Sequence, residues 1–414
     1  MLDIAIIGCG ARGYHYGQIA HNAGMGKIVA VCDPNLERLE MAKKAFGVSD
    51  EGLYTDTEAF FKAGRLAKLC IVATQDSQHL EHATHAMKLG YHLLLEKPIA
   101  ANMQDVTEIY ETSLREKRKV YVCHVLRYAP FYSVIKDELN SGKYGKIVTL
   151  NATENVGFWH QAHSFVRGNW AITENSTPMI IAKCCHDLDL ICWFMDRKCE
   201  SVSSFGSLSY FRKENAPKGH TKRCFGCPQQ GKCAYDAEKI YITDRFLKGQ
   251  TDWPVDVVAN APTEEKLRAA LKEGPYGRCV FECDNTAVDH QVVNMVFEGG
   301  ATAHLTMTAF STEPYRNIHI HCEKGDIFGS MEDDVLHCNV FGFEGKDIRI
   351  SEYFKSSYGH GGGDYYIVKD LVDELMGGAS KASTSIEKSV QSHAIGFAAE
   401  ESRLQGGKVI AINR

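Results

Sequence analysis

The sequence predicts an α/β protein in which a doubly wound parallel sheet is followed by an α/β domain with a large, mostly antiparallel sheet. Three observations carry this. A short apolar run near the N-terminus is joined to a helix by a glycine-rich turn. Strand-like and helix-like segments then alternate to about residue 126, the pattern of a parallel sheet with helical crossovers. Beyond Pro130 the strand-like runs alternate apolar and polar residues with period two, as in an antiparallel sheet covered on one face.

Taken in order, Ile4-Ala5-Ile6-Ile7 reads as a buried parallel strand. Gly8-Cys9-Gly10-Ala11-Arg12-Gly13 follows and opens a helix to about Asn22. In G-x-G-x-x-G between strand and helix, the first glycine makes the tight turn and the second lets a pyrophosphate approach. The third lets helix pack on strand, and free amides at the helix start hold phosphates. The next strand, 29–33, ends in Asp33, which accepts bonds from a ribose 2′-hydroxyl and repels a 2′-phosphate. That favours NAD over NADP. Helices are expected over 36–46, 57–63 (capped by Asp56), 77–89 and 103–116, and strands near Tyr54 and over 69–73, 92–95 and 120–125. Right-handed crossovers gather the loops after these strands on one edge. Residues 8–13, Asp33, 74–79, 96–98 and Arg127 are expected there.

In the second half a helix over 131–139 leads into a strand over 146–154. Further strands are expected over 199–208, 290–297, 302–309, 317–322 and 347–353, with a helix over 180–195 between the first two. The polar, poorly periodic stretch at about 212–284 reads as an insertion. Helices over 365–375 and 386–404 and a strand over 409–412 close the chain. The expected division is 1–126 for the first domain and 127–414 for the second.

Composition narrows the function classes. A chain of 414 residues, 44% hydrophobic and 24% charged, has the make-up of a globular enzyme. Its net charge of −6 argues against nucleic acid or an anionic membrane as principal partner. No apolar run is long enough for a bilayer span, and the N-terminus leaves no room for a signal peptide. Fifteen cysteines scattered through strands and helices fit buried thiols in a reducing compartment, so a cytoplasmic location is expected.

One motif goes further. Tyr91-His92-Leu93-Leu94-Leu95-Glu96-Lys97-Pro98-Ile99-Ala100 resembles the "aGxHvllxEKPia" signature of the glucose–fructose oxidoreductase / inositol dehydrogenase / MocA (Gfo/Idh/MocA) family. The stretch from Ala73 to His79 resembles that family's "aTpnxxH", Arg127-Tyr128-Ala129-Pro130 its "R(F/Y)xP", His186-Asp187-Leu188-Asp189 its "HdiD", and Ala399-Glu400-Glu401-Ser402 its "AxxS". The resemblance implies an NAD-binding Rossmann domain, a second domain with an open sheet, and a carbohydrate or cyclitol substrate between them. It also implies a homodimer or homotetramer. The implied cofactor contacts are Gly8, Gly10, Ala11, Arg12, Gly13, Asp33, Thr74, Gln75, His79, Glu96 and Lys97.

By the same resemblance Lys97 meets the hydroxyl that is oxidised, and His186 is the second acid–base position. Hydride would pass to nicotinamide C4. The sequence departs from the family four residues before His186, where an aspartate is common and this chain has Ala182. Lys183, three residues before His186, falls on roughly the same face of the expected helix. Arg127, Tyr128, His163, Arg167, Lys183 and Asp189 are the expected substrate contacts, and Asp364 is expected to cap the helix after a glycine-rich turn. Two other readings share these residues. One is an NAD-recycling glycoside hydrolase that oxidises, eliminates and re-reduces; the other is a non-catalytic NAD-dependent regulator.

Cys224-x2-Cys227-x5-Cys233 lies apart from all this, in the insertion. Thiolates at this spacing can share a metal, with Cys279 or Cys283 as the fourth ligand. Structural zinc is the usual solution for four thiolates, and an iron–sulfur cluster has compatible spacing.

Overall fold

The structure, a computed structural model, describes residues 1–352, 359–381 and 383–412. Its first sheet comprises β1 (Leu2–Ile7), β2 (Gly26–Cys32), β3 (Leu53–Tyr54), β4 (Leu69–Val72), β5 (His92–Leu95) and β6 (Val120–Val122). They lie in the order β3-β2-β1-β4-β5-β6, all parallel. Strand β1 shows why residues 4–7 are continuously apolar. Ile4 and Ile6 join the core on one face of the sheet, and Ala5 and Ile7 join the core on the other. The order reverses between β1 and β4, which places the switch point, where such sheets bind ligands, at the glycine turn.

The second sheet holds β7 (Ile147–Asn155), β8 (Cys199–Ser207), β9 (His290–Phe297), β10 (Thr302–Thr308), β11 (Tyr315–Cys322), β12 (Gly325–Ser330), β13 (Val335–Val340), β14 (Lys346–Arg349) and β15 (Ile410–Ala411). Their order is β14-β13-β12-β11-β7-β10-β9-β8-β15, antiparallel throughout except for the β7–β10 pair. Ala303, Leu305 and Met307 of β10 face the core, while Thr302, His304 and Thr306 point the other way. Helices Cys185–Met195 and Ile386–Leu404 cover the inner face.

Four findings differ from the sequence reading. β12 and β13 were not expected: β12 carries Ile327 as its one aliphatic core residue among glycine, serine and aspartate, too little to register as a strand. The strand expected over 347–353 ends at Arg349, and Tyr353 lies outside the described residues. The helix expected over 180–195 is two, Met179–Ala182 and Cys185–Met195, broken at Lys183 and Cys184. The insertion, polar and poorly periodic in sequence, nonetheless buries Ala237, Ile240, Tyr241, Ile242, Val255, Leu267 and Leu271 around Trp159.

The domain division is also not contiguous. Ile367, Val368, Leu371, Val372 and Leu375, on helix Gly363–Leu375, pack into the same core as β1 and so complete the first domain from the far end of the chain.

Candidate active site

The site grows from the carboxyl ends of β1, β2, β4 and β5. Gly8 has φ of +85°, and a Cβ there would lie 2.6 Å from the Ala73 carbonyl oxygen. At Gly13 a Cβ would meet the Gly8 carbonyl oxygen at 2.0 Å, so only glycine lets this helix pack so close to β1. Gly10 is different: its nearest neighbour to an added Cβ is the Arg38 guanidinium at 3.6 Å, which leaves space above the turn. The helix that starts at Ala11 has no side-chain cap, so its first amides are available to a phosphate. These features fit a dinucleotide pyrophosphate.

Asp33 is buried at the end of β2. It accepts from the Cys9 amide (2.8 Å) and the Asn35 amide (2.9 Å), with Arg38 at 3.6 Å. Asp33→Asn keeps an acceptor for one of these amides and removes the charge, leaving Arg38 without its carboxylate. It is expected to shift the ratio of NAD to NADP use by about tenfold or more towards NADP, measured as the ratio of kcat/KM for the two cofactors.

Lys97 is half-buried just past β5 and donates to the Ala182 carbonyl at 3.0 Å. Ala182, four residues before His186, thus meets this ammonium through its backbone. Glu96 fixes the strand end: it accepts from Arg12 Nε (2.8 Å), the Tyr16 hydroxyl (3.0 Å) and the Lys97 amide (2.8 Å). Burial opposes ionisation of Glu96, but Arg12 and Lys97 outweigh it and hold the carboxyl below its ordinary value. Arg12 also binds Asp364 at 2.6 Å. Asp364 is therefore no helix cap. It receives Arg12, His15 (3.2 Å) and His360 (3.1 Å), and these offset its burial to keep it ionised.

His186 is buried, and its Nδ1 has no hydrogen-bond partner among the described residues. Burial, then the charge of Lys97, push it well below the usual imidazole range, so it is neutral at neutral pH. It sits within a row of imidazoles, His393–His124–His186–His360, with ring centres 5.5, 6.0 and 5.8 Å apart. His360 reaches this row with a φ of +51° in a glycine-rich turn.

Lys183 sits at the helix break, not on a continuous face with His186. It pairs with buried Glu154 at 3.1 Å. Arg316 bridges the same Glu154 (2.7 Å) and Asp187 (2.8 Å). Burial, with Glu154 beside it, raises Asp187, and its Oδ2 has no partner.

Several expected substrate contacts are committed elsewhere. Arg127 and Asp189 form a buried bidentate pair, both bonds 2.6 Å, and Arg127 also donates to the Ser383 carbonyl. Tyr128 donates to Asp370 at 2.7 Å. His163 bonds the Tyr241 hydroxyl at 2.9 Å and stacks on Tyr276; burial, then the charge of Arg167, lowers it to about 3. Arg167 donates to the Arg278 and Tyr235 carbonyls inside the insertion. Among the cofactor set, His79 is fully buried, with ring nitrogens on the Pro98 and Thr74 carbonyls at 2.8 and 3.2 Å, so it ties two loops together. Thr74 bonds His82 at 3.0 Å, and Gln75 begins the adjoining turn. Cys224, Cys227, Cys233 and Cys279 line a separate cavity in the insertion.

Two histidines outside the favoured site residues also lie near this site. His160 is lowered by burial, then by the charges of Lys183, His163 and Lys97 around it. His360 is the other. Their signal was a histidine within an aromatic run and one within a glycine turn, neither distinguishable from a structural residue without the fold.

Comparison with known proteins agrees with this geometry. Residues 2–124 match the model described as "Oxidoreductase family, NAD-binding Rossmann fold", and residues 136–411 match "Oxidoreductase family, C-terminal alpha/beta domain". YteT of Bacillus subtilis is 24% identical over 371 residues, 83% of this chain and 82% of that protein. Inositol 2-dehydrogenase of Azotobacter vinelandii is 28% identical over 197 residues, 47% of this chain and 54% of the relative. The structure of levoglucosan dehydrogenase with NADH and L-sorbose superposes with a TM-score of 0.71 at 16% identity, covering 100% of this chain and 99% of that one. With both halves matched, the chain belongs to the Gfo/Idh/MocA family and is an NAD-dependent oxidoreductase.

Proposed function

We propose that this enzyme oxidises one hydroxyl of a sugar, sugar derivative or cyclitol, with Lys97 and His186 managing the proton. The observation that carries this reading is that Lys97 is anchored on the Ala182 carbonyl, four residues before buried His186, whose Nδ1 has no partner among the described residues. The names of the inositol and levoglucosan dehydrogenases support the substrate class. Bound NAD accepts the hydride at C4. The residues do the rest: His186 takes the hydroxyl proton as the carbonyl forms, and Lys97 stabilises the developing alkoxide. Gly8, Gly10, Ala11, Arg12, Gly13, Asp33, Thr74, Gln75, Glu96 and Lys97 surround the cofactor. Homo-oligomerisation through the open face of the second sheet, and a cytoplasmic location, belong to the same proposal.

One feature favours a second reading. His160, a further neutral imidazole near Lys97 and Lys183, could remove the proton that oxidation makes acidic at the neighbouring carbon. Elimination of the glycosidic substituent, addition of water to the resulting unsaturated ketone and return of the hydride would then make the enzyme an NAD-recycling glycoside hydrolase.

The test is a panel of free sugars, inositols and nitrophenyl glycosides, following NADH and nitrophenol together. Stoichiometric NADH without nitrophenol is the expected result. Nitrophenol release with no net NADH would overturn it in favour of the hydrolase.

A further inference from the structure

Ten of the 15 cysteines are buried, and the five that are partly open, Cys224, Cys227, Cys233, Cys279 and Cys283, are all in the insertion. Backbone pairing brings them together. The Cys224 amide donates to the Gly277 carbonyl at 2.9 Å and the Cys279 amide to the Lys222 carbonyl at 3.0 Å, around a bridge between Arg223 and Arg278. Two tight turns follow, with the Cys227 amide on the Cys224 carbonyl and the Cys233 amide on the Gln229 carbonyl. Cys224, Cys227, Cys233 and Cys279 thereby line one cavity. Cys283 does not: its thiol donates to the Cys279 carbonyl at 3.2 Å.

A second observation points into the same cavity. Arg167 is 3% exposed and also lines it. Its Nε and Nη2 are satisfied by the Arg278 and Tyr235 carbonyls, Nη2 lies 3.4 Å from Cys224 Sγ, and Nη1 has no partner. Among the described residues no carboxylate forms an ion pair with it; the ionisable groups that face it are Cys224, Tyr241, Cys283 and Cys279. A buried guanidinium without a counter-ion is costly. Four thiolates on a metal supply one, because they leave the centre net anionic.

We propose that Cys224, Cys227, Cys233 and Cys279 hold a metal centre as thiolates, with Arg167 as its buried counter-charge and Cys283 left as a free thiol. Zinc and an iron–sulfur cluster share this chemistry. No three of the five sulfurs lie within 4.8 Å of one another, so one zinc ion requires the turns to draw in, whereas a cluster, with separate irons for its ligands, tolerates the spread. The centre also has a structural consequence. Arg167 ends the π-helical turn Gln161–Arg167, which carries His163 and directly follows His160. Loading the metal therefore anchors the segment that follows His160.

The test is metal analysis and visible absorption of full-length protein purified anaerobically, repeated after incubation with Zn²⁺ or with Fe²⁺ and sulfide. One zinc per chain, or iron with acid-labile sulfide and a visible charge-transfer band, is the expected result; the two arms identify the metal. Cys224→Ser and Cys279→Ser should each lower metal content at least tenfold, while Cys283→Ser retains it. Thiol labelling of the unaltered protein guards against variants that fail to fold: these four cysteines should be protected until metal is removed. Absence of metal under all three conditions, or equal loss in Cys283→Ser and Cys279→Ser, would overturn the proposal.

Discussion

Lys97→Met is expected to lower kcat by about 10²–10⁴-fold, the usual range for a positioned acid–base group, with little change in NAD affinity. Methionine keeps the length and apolar stem of the side chain but cannot donate to the Ala182 carbonyl or stabilise an alkoxide. The glycine turn and Asp33, the proposed principal NAD contacts, are untouched. Single-turnover NADH formation and calorimetric NAD titration check the two halves separately. A regulator that only senses NAD would show unchanged NAD binding and no turnover to lose. A loss of NAD affinity equal to the loss of rate would instead make Lys97 a cofactor anchor.

Asp189→Ala is expected to destabilise the fold by about 3–5 kcal/mol, because it strands the buried Arg127 charge. A shift in the denaturation midpoint reads this directly. Were Asp189 a substrate contact instead, stability would hold and KM alone would rise. Acid unfolding gives a second reading. Burial pushes the Asp189 carboxyl up, but Arg127 and His124 outweigh this and hold it at about 2, below the unfolded value of about 3.9. Its stabilisation is thus fully present above about pH 4 and lost as pH falls through about 2. The wild-type chain should show this acid limb, and Asp189→Ala should flatten it.

The same pair shows where sequence reading stops. Arg127 and Asp189 both sit in motifs next to the site, yet they bond each other across 62 positions. No local pattern distinguishes a salt bridge from a substrate contact. Lys183 taught the same lesson: three residues from His186, it looked like a helix-face neighbour, but the break at Lys183 and Cys184 turns it to Glu154. The return of helix Gly363–Leu375 to the first domain was equally hidden, because its apolar face does not say which core it joins. What was legible had a local cause. Gly13 answers to the Gly8 carbonyl within the same turn, and Gly8 to its own positive φ. Residues 4–7 of β1 and 93–95 of β5 had to be apolar because both sheet faces are buried there. Glu96 and Lys97 follow β5 directly, so their place at the site follows from the strand's.

The most direct test of the central claim uses whichever sugar or cyclitol the panel identifies, deuterated at the carbon bearing the reactive hydroxyl. The account predicts that deuterium appears at C4 of the NADH formed, with a primary isotope effect that persists in Lys97→Met at a lower rate. Product formed with no deuterium in the nicotinamide would contradict it.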